Sequence, residues 1–292
     1  MMDVVSLRDL EYVAAVERER NVTRAAASIP MAQPALSQAI ARIERRLGVT
    51  LFRRTSRTVV PTEAGALLAE RGRHLLADVA RTIDDTRAAG GHRQVRIQVT
   101  EPSLTVPRRV FSAVRHALPG AAVHQMTVPR SQVADMLVSG ELTASVGPRE
   151  HGPGLATEAL CHEAVMAVMA PGHPLAQRDT VTVADVAGYP IVSIDSGMSD
   201  WNATVARYFT RFGAVPQWTE SSAFGAVAAA DLVHGSGAVF LALESIAHGL
   251  TGPIEHRPFD PAWSITWFVN WRSGPAPMAW TSEVVDAMRG SA

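Results

Sequence analysis

Cysteine occurs once in the 292 residues, at Cys161. A single thiol excludes an internal disulfide, a Cys-Cys metal pair and a two-cysteine peroxide switch, and it suits a reducing compartment. Long apolar runs are missing as well. No stretch approaches the roughly 18 uninterrupted apolar residues of a membrane helix, and the opening MMDVVSLRDLEY has acidic residues where a signal peptide needs a basic region and an apolar core. The expectation is a soluble cytoplasmic protein. Lysine is absent, since all 27 basic residues are arginine. Neither an HExxH nor a GxSxG motif is present, and Cys161-His162-Glu163 lies at a predicted strand start, where adjacent residues serve a zinc site poorly. An enzyme in the body of the chain is the chief alternative class, and this absence of motifs counts against it.

What is present is a chain long enough for two or three domains, 47% of it hydrophobic. The net charge of -1 hides an uneven distribution. Residues 1–62 hold 10 Arg against 6 acidic residues, residues 63–100 hold 6 against 5, and residues 101–292 hold 11 against 17. A basic head on an acidic body is what phosphate binding by the head requires, although a chance asymmetry of solvated charge would look the same.

Apolar spacing predicts a first helix over 7–19 and a short second helix over 23–28 capped by Asn21 and broken at Pro30. A third runs over about 33–47, with Pro34 in its first turn and Gly48 at its end. Leu36, Ile40, Ile43 and Leu47 share one stripe, leaving Ser37, Gln38, Arg42 and Arg45 on the other side. Short strands at 50–52 and 58–60 flank Arg53, Arg54 and Arg57 as a β-wing. Thr62 caps a long helix over 63–88 whose stripe includes Leu67, Leu68, Leu75, Leu76, Val79 and Ile83, and a stripe of that length suggests pairing with a second copy. Packing on the chain's own body is the competing reading. Gly90-Gly91-His92 forms a hinge.

Beyond the hinge, strand patterns at 95–100, 122–128, 143–146, 163–170, 191–194, 238–242 and 264–271 alternate with helix patterns at 106–117, 131–139, 201–212 and 224–234. That alternation predicts a parallel α/β sheet covered by helices.

The head resembles the LysR-type transcriptional regulators. The resemblance rests on Leu7-Arg8-Asp9-Leu10-Glu11-Tyr12, Thr23-Arg24-Ala25-Ala26, Gln33-Pro34-Ala35-Leu36-Ser37-Gln38-Ala39-Ile40, Leu47-Gly48-Val49-Thr50-Leu51-Phe52-Arg53-Arg54 and Pro61-Thr62-Glu63-Ala64-Gly65. It continues more loosely through Pro171-Gly172-His173-Pro174-Leu175 and Gly235-Ser236-Gly237-Ala238-Val239. Three features depart from the pattern. Ala32 stands where a Ser or Thr cap is usual, at a cost of roughly 1 kcal/mol of helix stability. The loop after the first body strand is about two residues short, and Thr143 replaces a common Asp.

The resemblance implies a mixed α/β fold in three parts. These are a winged helix-turn-helix DNA-binding domain over 1–62, a linker and dimerisation helix over 63–91, and an effector domain over 92–292 like the periplasmic binding proteins. Its two α/β subdomains would span about 92–166 with 270–292, and 167–269, with crossover strands near 164–170 and 267–271. It also implies a non-enzymatic regulator, associated with the nucleoid, that bends promoter DNA as a homotetramer on an inverted repeat and contacts RNA polymerase.

Residues for the duplex are Thr23, Arg24, Gln33, Pro34, Ser37, Gln38, Arg42 and Arg45, with Arg53, Arg54 and Arg57 on the backbone. Gln pairs with adenine edges and guanidinium groups fit guanine or phosphate. Strand ends and helix N-termini nominate Thr100, Ser103, Pro129, Arg130, Ser131, Gly147, Pro148, Asp195, Ser196, Ser221 and Ser222 for a small effector, Arg130 favouring a carboxylate. Ordinary capping and surface solvation are the competing roles for each. No metal or cofactor is expected beyond that effector. A DNA-binding architectural protein with a vestigial sensor is the second alternative.

Overall fold

The computed structural model describes residues 5–54, 59–99, 104–194, 199–223, 225–273 and 280–291. Arg57, Thr100, Ser103, Asp195 and Ser196 lie outside them, as does the side chain of Arg54. The chain divides into two compact units at Gly90–Gly91, the short stretch Val138–Glu141 being assigned to the first.

The first unit begins with α1 (Leu7–Glu19), α2 (Val22–Ser28) and α3 (Gln33–Leu47). A capping box that the spacing did not reveal starts α1: the Ser6 hydroxyl accepts from the Asp9 amide, and the Asp9 carboxylate accepts from the Ser6 amide. The Asn21 side chain accepts from the amides of Thr23 and Arg24 to start α2. Ala32 offers α3 no side-chain bond, and Gly48 ends it in the left-handed conformation at φ 69°. Leu36, Ala39, Ile40 and Ile43 are buried on one side of α3, in a core shared with Val13 and Val16 of α1, Ala25 and Ala26 of α2, and Leu51.

The wing strands β1 (Phe52–Arg54) and β2 (Val59–Pro61) pair antiparallel, Phe52 opposite Pro61. β1 starts later than the β-propensity suggests because the two preceding carbonyls are engaged elsewhere. Thr62 donates its hydroxyl to the Thr50 carbonyl at 2.7 Å and its amide to the Leu51 carbonyl at 2.8 Å. The same hydroxyl accepts from the Gly65 amide at 3.1 Å and so starts α4 (Glu63–Ala89), 27 residues long. That contact leaves no room at Gly65, where a Cβ would sit 2.0 Å from the Leu51 carbonyl oxygen.

The second unit opens with β3 (Arg93–Val99), α5 (Thr105–Ala117), β4 (Ala121–Met126), a 3-10 turn (Arg130–Gln132), α6 (Val133–Ser139) and β5 (Ala144–Gly147). There follow β6 (Leu155–Met169), a 3-10 turn (Pro174–Gln177), α7 (Val183–Ala187), β7 (Pro190–Ile194), α8 (Trp201–Thr210) and β8 (Gln217–Ala223). Then come α9 (Ala226–Asp231), β9 (Phe240–Leu243), α10 (Glu244–Gly249), β10 (Glu255–Pro258), β11 (Ser264–Arg272) and α11 (Thr281–Arg289).

Helix and strand alternate as expected, but the sheet is mixed. Parallel pairing joins β3 to β4 and β5, and β7 to β8, whereas β11 and β6 run antiparallel to their neighbours. β6 is 15 residues long and starts eight residues before the predicted strand. Its first ten residues pair with β11, and from Val165 onward it pairs with β9 and β10. One strand thus links β11 to β9 and β10. β8, β10, α7 and α10 were not predicted, because they are short or polar and carry weak periodicity, and α11 was passed over although Thr281, Val284, Val285 and Met288 mark one buried face.

The Pro171-Gly172-His173-Pro174-Leu175 stretch forms a turn that buries His173 and Leu175 and exposes the other three residues, and His173 Nδ1 accepts from the Leu175 amide at 3.2 Å. Burial holds the His173 pKa below the ordinary histidine value, against a backbone hydrogen bond at Gly237. His256 is also lowered, by burial and then by His248 and Arg257, against Glu255 and Glu244. Folding therefore favours the neutral form of both rings.

Two outcomes follow for stability. Gly65→Ala should lower the thermal stability of the first unit by about 3 kcal/mol, since a backbone carbonyl cannot move aside cheaply. The second unit should keep its full stability above about pH 6.5 and lose part of it as pH falls toward the lowered folded values of His173 and His256. Melting curves from pH 7.5 to 5 read this, and His256→Gln should flatten the decline.

Candidate nucleic-acid face and ligand cavity

With Leu36, Ile40 and Ile43 turned inward, the helical repeat directs Pro34, Gln38, Ala41 and Arg45 outward along the far side of α3, and all four are exposed. Gln33 is exposed at the first turn and donates to the Ser37 hydroxyl at 3.0 Å, so the two form one polar cluster. Arg45 has no ion pair among the described residues and is available to a partner. Ala41, at the centre of this row, was missed because a small apolar residue gives no polar signal.

Two other nominated arginines are already engaged. Arg42 donates to Asp9 at 3.3 Å, tying α3 to α1, and Arg24 donates to the Glu19 carbonyl at 2.8 Å. Asp9 is almost fully buried: burial opposes its ionisation, but the Ser6 hydrogen bonds and Arg42 outweigh that and hold its pKa low. Thr23 is exposed at the start of α2 with its amide bound to Asn21. Arg53 is exposed on β1.

Glu44, the one acidic residue of residues 31–62, has a structural task that the charge count concealed. Its Oε1 accepts from the amides of Leu51 and Phe52 at 2.7 and 3.1 Å, which fixes the first wing strand to α3. On α4, Leu67, Leu75, Val79 and Ile83 are exposed. Leu68 corrects the predicted dimerisation stripe, because it packs on the core of its own unit. Leu76 is half-buried.

The second unit contains a cavity of about 510 Å³ bounded by the loop after β5, by α8, by β9 and by the start of β11. Gly147 and Pro148 line it. Pro129, Ser131, Ser221 and Ser222 are not in that lining, the two serines being exposed on β8.

Arg130 is a correction of a different kind. It pairs with Glu150, lies 3.8 Å from Asp200 and donates to the Arg149 carbonyl at 3.2 Å. With two of the protein's own carboxylates beside it, it has no unmatched charge for a ligand. Glu150 is itself positioned by the fully buried Asn270, whose Oδ1 accepts from the Glu150 amide at 2.9 Å while its Nδ2 donates to Ser145 and Pro148 at 3.1 Å.

The cavity wall is aromatic, which the sequence reading did not anticipate. Trp263 stacks nearly parallel on Tyr208 and Trp201, with ring centroids 4.0 and 6.0 Å apart. The Trp267 indole donates to Glu163 at 2.7 Å, and Glu163 also accepts from the amide and hydroxyl of Ser245. The signal was present in residues 201, 204, 208 and 211, which fall on one face of a helix. Cys161 lies beside this region, but burial and Glu163 push its thiol pKa up, against Arg109, so it is a weak nucleophile.

Loss of the Glu44 carboxylate should free the wing from α3. We expect Glu44→Ala to cost about 2 kcal/mol in thermal unfolding, the usual worth of hydrogen bonds to a charged group.

Two family models cover most of the chain: bacterial regulatory helix-turn-helix protein, lysR family, over residues 7–66, and LysR substrate binding domain over residues 88–292. The hydrogen peroxide-inducible genes activator of Dickeya chrysanthemi is 28% identical over 198 residues, 66% of this chain and 65% of that protein. The chain thus aligns with just under two thirds of the length of that curated relative. Among solved structures, full-length BenM superposes with a TM-score of 0.61 at 23% identity, covering 98% of this chain and 96% of that one. CbnR complexed with its target DNA gives 0.57 at 20% identity, covering 98% and 99%. At these identities the likeness is one of fold.

Proposed function

The chain belongs to the lysR family of bacterial regulatory helix-turn-helix proteins, and from that premise we propose that it is a sequence-specific transcriptional regulator whose promoter binding is modulated by a small molecule in the body cavity. It acts by binding and not by catalysis. The exposed row of α3 carries this reading. Gln38 offers a donor and an acceptor to an adenine edge, Ala41 a methyl-sized surface to thymine, and Arg45 a fork to guanine or phosphate. Gln33 and Ser37 meet the groove at the helix N-terminus, and Arg53 grips the backbone and supplies affinity more than specificity. The solved complex of CbnR with its target DNA supports a protein-DNA role for this fold.

The exposed apolar row Leu67, Leu75, Val79 and Ile83 is best covered by the same row of a second copy. Two heads on a two-fold axis then read an inverted repeat, and two dimers form the homotetramer that bends promoter DNA and contacts RNA polymerase. The working place of such a protein is the nucleoid. A ligand regulates it by favouring one arrangement of the two body lobes over another.

Footprinting and electrophoretic retention of promoter fragments test the proposal. Gln38→Ala and Arg45→Ala should each cost about 1–3 kcal/mol on the preferred site and blur its sequence. Arg53→Ala should weaken all sequences alike and make binding less salt-sensitive. Equal retention of every fragment by the wild type and by a Gln33, Gln38, Arg53 triple alanine variant would contradict it.

A further inference from the structure

The charge balance of the body cavity points to the chemical class of its ligand. This inference rests on the proposal that the cavity is the regulatory site. Among the described residues, the charged members of the lining are three arginines, Arg149, Arg207 and Arg211, against one aspartate, Asp200. Asp200 lies beside Arg130. Glu163 lies outside the lining, where it accepts from Ser245 and Trp267 and keeps its negative charge on the Trp267 side, away from the arginines of α8 in the chain. None of the three lining arginines has a carboxylate partner among the described residues. Arg207 donates only to the Thr204 hydroxyl at 2.9 Å, and Arg149 lies over the Phe268 ring at 5.9 Å. Among the described lining residues positive charge is thus in excess, on a stretch of chain (residues 101–292) with six more acidic than basic residues. An anion is the complementary partner.

The rest of the wall restricts that anion further. The indole N–H groups of Trp201 and Trp267 are both consumed, by the Leu241 carbonyl at 3.0 Å and by Glu163 at 2.7 Å. These rings therefore present apolar surface and no hydrogen bond. Trp201 and Tyr208 occupy one face of α8, which reaches Arg207 in its last turn and Arg211 as its C-terminal cap. An aromatic surface on a ten-residue helix about 15 Å long, with one guanidinium in its last turn and another at its cap, suits a ligand with a flat apolar part and an acidic end.

We infer that the regulatory ligand is a planar aromatic carboxylate whose ring lies against the Trp201 and Trp267 side of the cavity and whose carboxylate is held by Arg207 and Arg211, not by the neutralised Arg130. Isothermal titration calorimetry on the full-length protein tests this with benzoate, 2-naphthoate and indole-3-acetate, against adipate as an aliphatic acid and indole as an uncharged ring.

At least one aromatic acid should bind tenfold or more tighter than both adipate and indole. Arg207→Ala/Arg211→Ala should weaken that acid by tenfold or more, and Trp201→Leu, a separate substitution on the apolar side, should weaken it as well. Both variants are checked for a wild-type melting profile, and the arginines are exposed, so their removal leaves the core intact. If adipate or indole binds as well as the aromatic acids, if none of the three binds, or if the double variant binds unchanged, the inference is overturned. A promoter footprint of the same wild-type preparation, with and without each compound, reports separately on the regulatory reading. Discriminating binding with no footprint at all would sink the regulatory reading and leave the ligand class standing. A footprint altered only by adipate or indole would do the reverse.

Discussion

Strand β6 ties the β11, β5, β3 and β4 part of the main sheet to β9 and β10. It pairs with β11 along its first ten residues and with β9 and β10 along its remainder, so its hydrogen bonds are divided between two sets of strands. β11 lies between β5 and β6 and breaks register at Trp267 and Phe268, and it is there that its side chains line the cavity. A ligand placed against these strands touches the element through which any change in lobe arrangement must pass, because backbone ladders resist stretching more than side-chain contacts do.

One electrostatic rule governs both functional faces. Carboxylates at partly or fully buried positions are bound internally: Asp9 by Ser6 and Arg42, Glu44 by the amides of β1, Glu163 by Ser245 and Trp267, and Glu150 by Arg130. An unpaired buried carboxylate would be costly, so the fold spends its donors there first. Arg45 on α3, and Arg207 and Arg211 on α8, are left without an acidic partner among the described residues. A guanidinium group fits both phosphate and carboxylate, so one residue type suits both the proposed DNA face and the proposed ligand site.

Much of the head was legible in advance because its signals are local. Helix periodicity, Asn21, Thr62 and Gly48 each act within one or two turns, and the stripe of Leu36, Ile40 and Ile43 dictates which side of α3 faces out. The capping box at Ser6 and Asp9 was local too and was passed over. Glu44 was not legible, since its partners Leu51 and Phe52 are reached only after the chain turns back.

The body was less legible for the same physical reason. The family resemblance and the strand-helix alternation indicated an α/β body, but the polar strand β8 and the first half of β6 carry little periodicity, and their pairing is decided by distant neighbours. Arg130 read as a free cation because Glu150 and Asp200 are separated from it by 20 and 70 positions in the chain. By itself, then, the order of residues determined the helix-turn-helix head, its basic character and the outward row of α3, all of which depend on spacing along one segment. Tertiary structure alone decided which charges are cancelled and which aromatic rings converge on the cavity, because both depend on side chains that only folding brings within a few ångströms of one another.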